Sequence, residues 1–161
     1  MFELFENHPI DAFRNDQSLL NEAITRAIRV KADVVERDER ESGERRKLNL
    51  GHTFAHAIEK CGNEFLHGEA VAIGTVMIAR LSAHLGTATQ DEADRVRRVF
   101  ERMGLPIRTE IDFKRLVKAL KHDKKKEADS VSFVLLRGIG DCEIRRFTFD
   151  EIDRLPDPAA E

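Results

Sequence analysis

Three of the six histidines in this chain, His52, His56 and His67, fall within sixteen residues. Positions 52 and 56 are one turn apart and share a face of a helix predicted over Asn49–Cys61. The CGNEF segment that follows reads as a turn. The chain can therefore fold back and bring His67, at the head of the next predicted helix, near that face. Imidazole nitrogens so spaced suit a borderline divalent metal such as zinc, bound at about 2.0–2.1 Å. The same spacing equally fits two half-exposed helix histidines and one cap histidine, and an HxxxH pair alone is a weak signature. Gly51 and Gly68 fit close approach of either a ligand or a neighbouring helix. Glu69 fits a metal contact or a favourable charge at a helix N-terminus.

A second set of residues carries positive charge. Lys31 sits late in a helix whose other face reads as apolar. Arg45 precedes Asn49 by four residues, and Lys124, Lys125 and Lys126 cluster further on. Each alone fits a solvated surface. Converging on the histidine face they would hold an anionic metabolite, with arginine as a bidentate fork and lysine as a point charge.

The elements that must position these groups follow from periodicity and caps. Asp16 caps a long helix whose apolar residues, Leu19 to Val35, recur at three- and four-residue spacing. The charged run Glu36–Lys47 reads as a solvated connection. Beyond the histidine helix, His67–Leu85 is apolar around most of its circumference, which predicts a central buried helix. Thr89 opens a charged helix ending at Met103-Gly104, and Asp112 caps a shorter one with Phe113, Leu116, Val117 and Leu120 inward. The period then changes. Val131–Leu136 and Glu143–Phe147, joined through Gly138-Ile139-Gly140, predict a β-hairpin. The terminal PDPAAE reads as a frayed tail. The fold class expected is mainly α, a helical domain closed by a small C-terminal hairpin.

Composition narrows the setting. A chain of 161 residues with 41% hydrophobic side chains predicts one domain, residues 1–161, with a real core. Its net charge of −3 provides no overall field for nucleic acid or anionic lipid. Two cysteines outside any CxxC pair make no disulfide framework. No signal-peptide pattern opens the chain, and its most apolar stretch is interrupted by Arg80. The expectation is a cytoplasmic protein with neither a nucleic-acid nor a membrane partner.

Three segments taken in order are more specific: KADVVERDERESG from Lys31, RRKLNLGHTFAHAIE from Arg45, and LHGEAVAIG from Leu66. With the later Asp123-Lys-Lys and VSFVLLRGIG, they resemble the 3-dehydroquinate synthases, members of the sugar phosphate cyclases. The resemblance runs from about Met1 to Phe147 and covers only that family's helical C-terminal domain. No glycine-rich strand–turn–helix is available here to cradle a dinucleotide.

The resemblance implies the roles that follow. His52 and His67 match metal-binding histidines, for Zn2+ or Co2+, and His56 a substrate-facing histidine that handles protons. Lys31, Arg45 and Asn49 match substrate-binding positions, as does Lys124 or its neighbour Lys125. The third metal ligand, a glutamate, and the NAD-binding half belong upstream, so this chain alone is expected to be inactive. The implied reaction converts 3-deoxy-arabino-heptulosonate 7-phosphate to 3-dehydroquinate and phosphate. The partners implied are that sugar acid phosphate, the N-terminal half, and a second copy in a homodimer. Exposed apolar surface is expected where the NAD-binding domain would dock. Ala55 replaces a usual glycine, and its methyl is expected to narrow the pocket.

Overall fold

The most apolar segment becomes the central helix. In a computed structural model, which describes residues 1–40, 43–62, 64–124 and 129–159, His67–His84 forms α5, with Ala70, Ile73, Val76, Met77 and Leu81 buried. Before it run α1 (Phe2–Asn7), α2 (Ile10–Asn15), α3 (Gln17–Arg37), a 3-10 helix (Glu44–Asn49) and α4 (His52–Cys61). After it come α6 (Gln90–Arg102), α7 (Phe113–Lys124), strands β1 (Ser130–Leu136) and β2 (Cys142–Thr148), and the short α8 (Phe149–Ile152). The mainly helical class with one small hairpin is therefore observed.

Local chemistry places the boundaries. Asp16 accepts from the backbone N–H groups of Ser18 and Leu19 at the head of α3, and Asp112 does the same for Lys114 and Arg115 in α7. Thr89 and Glu92 cap α6 reciprocally. The hairpin is antiparallel, pairing Ser130 with Thr148 and Leu136 with Cys142. Helices α4, α6 and strand β1 pack around α5, while α7 closes over α4 and β1. Buried Ser82 links two of these layers: its Oγ donates to the Ile78 carbonyl at 2.7 Å and accepts from Leu136 N–H at 2.9 Å. Phe133 lies 5.3 Å from Phe54 and 5.6 Å from Phe147, joining α4 to both strands in one aromatic group.

The structure corrects several expectations. The histidine helix starts at His52 rather than Asn49, because Gly51 adopts a left-handed φ of 80° and breaks the backbone there. Helix α3 and the 3-10 helix take up part of the charged connection from its two ends. Buried Asp38 accepts from Gly43 N–H at 2.8 Å and Arg45 N–H at 3.0 Å, which sets up the 3-10 helix. The described part of the tail is docked: Pro158 is buried and its carbonyl accepts from the Arg80 guanidinium at 3.3 Å. The arginine that interrupts the apolar helix thus has a polar partner at the edge of the core.

The apolar stripe of α3 is the largest departure from a simple core. Of that helix's 21 residues only Ala23 is buried, while Ile24, Ile28 and Val30 stand exposed. At 100° per residue, Lys31 falls on the same face as Leu20, Ile24, Ile28 and Val35, not on the opposite one.

Candidate functional site

Helices α4 and α5 cross at two glycines. A Cβ on Gly74 would stand 2.2 Å from the Gly51 carbonyl oxygen, and one on Gly51 would stand 2.3 Å from Thr75 Oγ1. Both glycines therefore serve helix packing, whereas a Cβ on Gly68 would meet open space. That close crossing sets His52, the first residue of α4, beside His67, the first residue of α5. Their ring centroids are 5.6 Å apart, and His56 lies 5.9 Å from His52 and 6.4 Å from His67. The three histidines do converge.

Hydrogen bonds assign their tautomers. His52 Nδ1 donates to the Leu50 carbonyl at 3.2 Å, and His67 Nδ1 donates to Glu59 Oε1 at 2.8 Å. A carbonyl and a carboxylate oxygen accept, so in its neutral form each ring keeps its lone pair on Nε2. That donor chemistry fits a divalent metal. Among the described residues, however, no group of three histidine, cysteine, aspartate or glutamate side chains is arranged to hold one. Glu69 instead accepts from Leu66 N–H at 2.8 Å and caps α5.

A cavity of about 390 Å³ opens beside this cluster, between α4, α7 and the hairpin. Asn49, His52 and His56 line it, together with Thr53, Ser130 and Ser132. Three cations, Arg46, Lys60 and Arg146, also line it, and none of the described lining residues is acidic. In a chain of net charge −3 this is a local reversal of sign. Thr53 Oγ1 donates to the Ser132 carbonyl at 3.3 Å, and Arg146 Nε donates to Ser130 Oγ, so two walls of the cavity are tied down.

Other expected residues lie elsewhere. Arg45 is absent from the cavity wall; its guanidinium donates to the Glu39 carbonyl at 3.1 Å, and Arg46 takes the wall position. Lys31 is on the exposed face of α3 and does not line the cavity. Lys124 ends α7, between wall residues Leu120 and Ser130 along the chain, and Lys125 lies outside the described residues. The methyl of Ala55 is fully buried in the core and is not among the described residues that line the cavity. Sequence reasoning missed Arg46, Lys60, Arg146 and Glu59. Only Glu59 carried a signal, one turn beyond His56.

Residues 1–126 match the family model described as 3-dehydroquinate synthase C-terminal. The chain is 44% identical over 142 residues to 3-dehydroquinate synthase from Nitrosomonas europaea, which covers 86% of this chain and 38% of that protein. It is 48% identical over 147 residues to the synthase of Pseudomonas fluorescens, covering 86% and 39%. The chain therefore spans about two fifths of the curated relatives it matches. Among solved structures, 2-epi-5-epi-valiolone synthase from Streptomyces hygroscopicus, with NAD+ and Zn2+ bound, superposes with a TM-score of 0.78 at 28% identity, over 94% of this chain and 44% of that one. A 2-deoxy-scyllo-inosose synthase complexed with carbaglucose-6-phosphate, NAD+ and Co2+ shares the fold, with a TM-score of 0.68 at 21% identity over 86% and 39% of the two chains.

Proposed function

Because the chain belongs to the 3-dehydroquinate synthase C-terminal family, we propose that it supplies the metal- and substrate-binding half of an enzyme making 3-dehydroquinate and phosphate. The substrate of that reaction is 3-deoxy-arabino-heptulosonate 7-phosphate. One observation carries this reading: His52, with its lone pair on Nε2, lines a cavity walled by cations and free of described acids, and His67, with the same lone pair, stands 5.6 Å from it between ring centroids.

In this reading His52 and His67 hold a zinc or cobalt ion together with a ligand from the N-terminal half. Bound there, the metal would polarise substrate oxygens as a Lewis acid, and NAD held by the other half would supply the redox chemistry. The chain's own residues do the remaining work. Arg46, Lys60 and Arg146 neutralise the phosphate and carboxylate of the substrate. Asn49 and Thr53 orient its hydroxyls. His56, exposed beside the cluster, takes and returns protons at the substrate. Lys31, Arg45 and either Lys124 or Lys125 complete the anion contacts once the other half encloses the site. That assembly is placed in the cytoplasm, as a homodimer.

The test is phosphate release from the seven-carbon substrate by this chain mixed with a separately produced N-terminal half, NAD and zinc. Turnover that requires both halves and is lost in His56→Ala supports the proposal. A well-folded, associated pair with no turnover counts against it. The likeness to the valiolone synthase favours one second reading, a cyclase of the same fold acting on another sugar phosphate. Turnover on that sugar phosphate in place of the heptulosonate would select it.

A further inference from the structure

Of the two rings with lone pairs on Nε2, only one is held by a side chain. The partner of His52 is a backbone carbonyl two residues away, which no substitution removes. The partner of His67 is Glu59, eight residues earlier and on the other helix of the crossing pair. His67 is the more exposed ring, with 60% of its side chain accessible, and Glu59 is 33% accessible. Without a fixed acceptor at Nδ1, an exposed neutral imidazole exchanges tautomers and rotates freely, placing its lone pair on either nitrogen.

We infer that Glu59 is a positioning residue: its carboxylate holds His67 in the Nδ1–H tautomer and orients Nε2 toward the metal position. The inference rests on the metal reading above only for its consequence; the tautomer is a property of this chain alone. A carboxylate behind a ligating imidazole raises the basicity of the ring and fixes its orientation, and losing one typically lowers metal affinity by about 10–100-fold. Glu59 is also placed for this by local geometry. It follows His56 by three residues on α4, so one helix carries both the proton-handling ring and the group that steadies the ring on α5.

The test uses the whole chain with 15N-labelled histidine, free of metal, at a pH where imidazole is neutral. Long-range nitrogen–proton correlations then read each ring's tautomer. In the native chain, His52 and His67 are expected to show the Nδ1–H form. In Glu59→Ala, His67 alone should shift toward the Nε2–H form while His52 stays unchanged. Glu59→Gln, whose amide oxygen still accepts a hydrogen bond from Nδ1–H, should retain the native tautomer and serves as the variant least disturbing to folding. Zinc titration by calorimetry should show affinity falling at least tenfold in Glu59→Ala and less in Glu59→Gln. An unshifted His67 tautomer in Glu59→Ala overturns the inference, and unchanged zinc affinity with a shifted tautomer overturns its consequence for the metal. A native chain that shows the tautomer pattern but binds no zinc, even with the N-terminal half present, overturns the metal reading and leaves Glu59 as the group that orients His67.

Discussion

The carbonyl oxygen of Gly51 lies 2.2 Å from where a Cβ on Gly74 would stand. Backbone occupies that space, so nothing flexible can yield. Gly74→Ala is expected to push α4 and α5 apart and to destabilise the chain by about 1–3 kcal/mol, the usual range for overpacking. Urea unfolding measures this. Stability equal to the native chain would mean that the helices reseat without cost.

The metal reading separates the histidines by role. His52→Ala and His67→Ala should each abolish zinc retention in the assembled pair after dialysis, along with turnover. His56→Ala should retain zinc and lose turnover. Equal zinc loss in all three variants would return His56 to the ligand set.

The cation-walled cavity predicts anion binding even without the other half. Arg46→Gln and Arg146→Gln should each weaken binding of inorganic phosphate by about 10-fold or more, the scale of one charge-assisted hydrogen bond. Raising the salt concentration should weaken native binding in the same direction. Calorimetric titration reads both effects, and an affinity indifferent to the two arginines would remove them from the site.

On the proposed reading, helix α3 marks where an N-terminal half would dock. Ile24→Glu and Ile28→Glu should leave thermal stability almost unchanged, because both side chains are exposed in the isolated chain. Both should prevent association with the N-terminal half in sedimentation experiments. A marked fall in the melting temperature of the chain alone would show instead that α3 packs on its own domain.

Helix α1 is held to α6 by a two-point ion pair, with Arg95 Nε 2.8 Å from Glu6 Oε1 and Nη2 2.9 Å from Oε2. The hydrogen bond from Arg95 pulls the Glu6 carboxyl below its ordinary value of 4.5. A carboxyl depressed in the folded state stabilises above its unfolded pKa, and that stabilisation disappears as pH falls through the folded value. The stability gap between the native chain and Glu6→Gln should thus be present at neutral pH and close at acidic pH below 4.5. Denaturant midpoints across that range check the sign.

Much of this architecture could be read from residues. The long helix, the buried α5, the charged α6 and the hairpin each carry a cap or a clear period, and each lies within a few positions of where that signal puts it. The six-residue helices α1 and α2 are too short to show a period. The start of α4 was displaced because a left-handed glycine looks, in sequence, like any other glycine. The histidine cluster was legible because two of its members share one helix face and the third opens the next. Its cationic wall was not. Whether Arg45 or Arg46 faces the cavity depends on the twist of the 3-10 helix, and Arg146 arrives from the far end of the chain on β2. The pairing of Glu59 with His67 depends on the angle at which two helices cross, which no spacing encodes.

One face of α3 carries both unpartnered apolar side chains and Lys31. If covering that face and gripping the substrate share the same helix, the two events are thermodynamically linked. Substrate that engaged Lys31 would then tighten the grip on whatever covers that face, and covering it would raise affinity for substrate by the same factor. Closure of the face would thus respond to the supply of metabolite, and be firmest when there is something to convert.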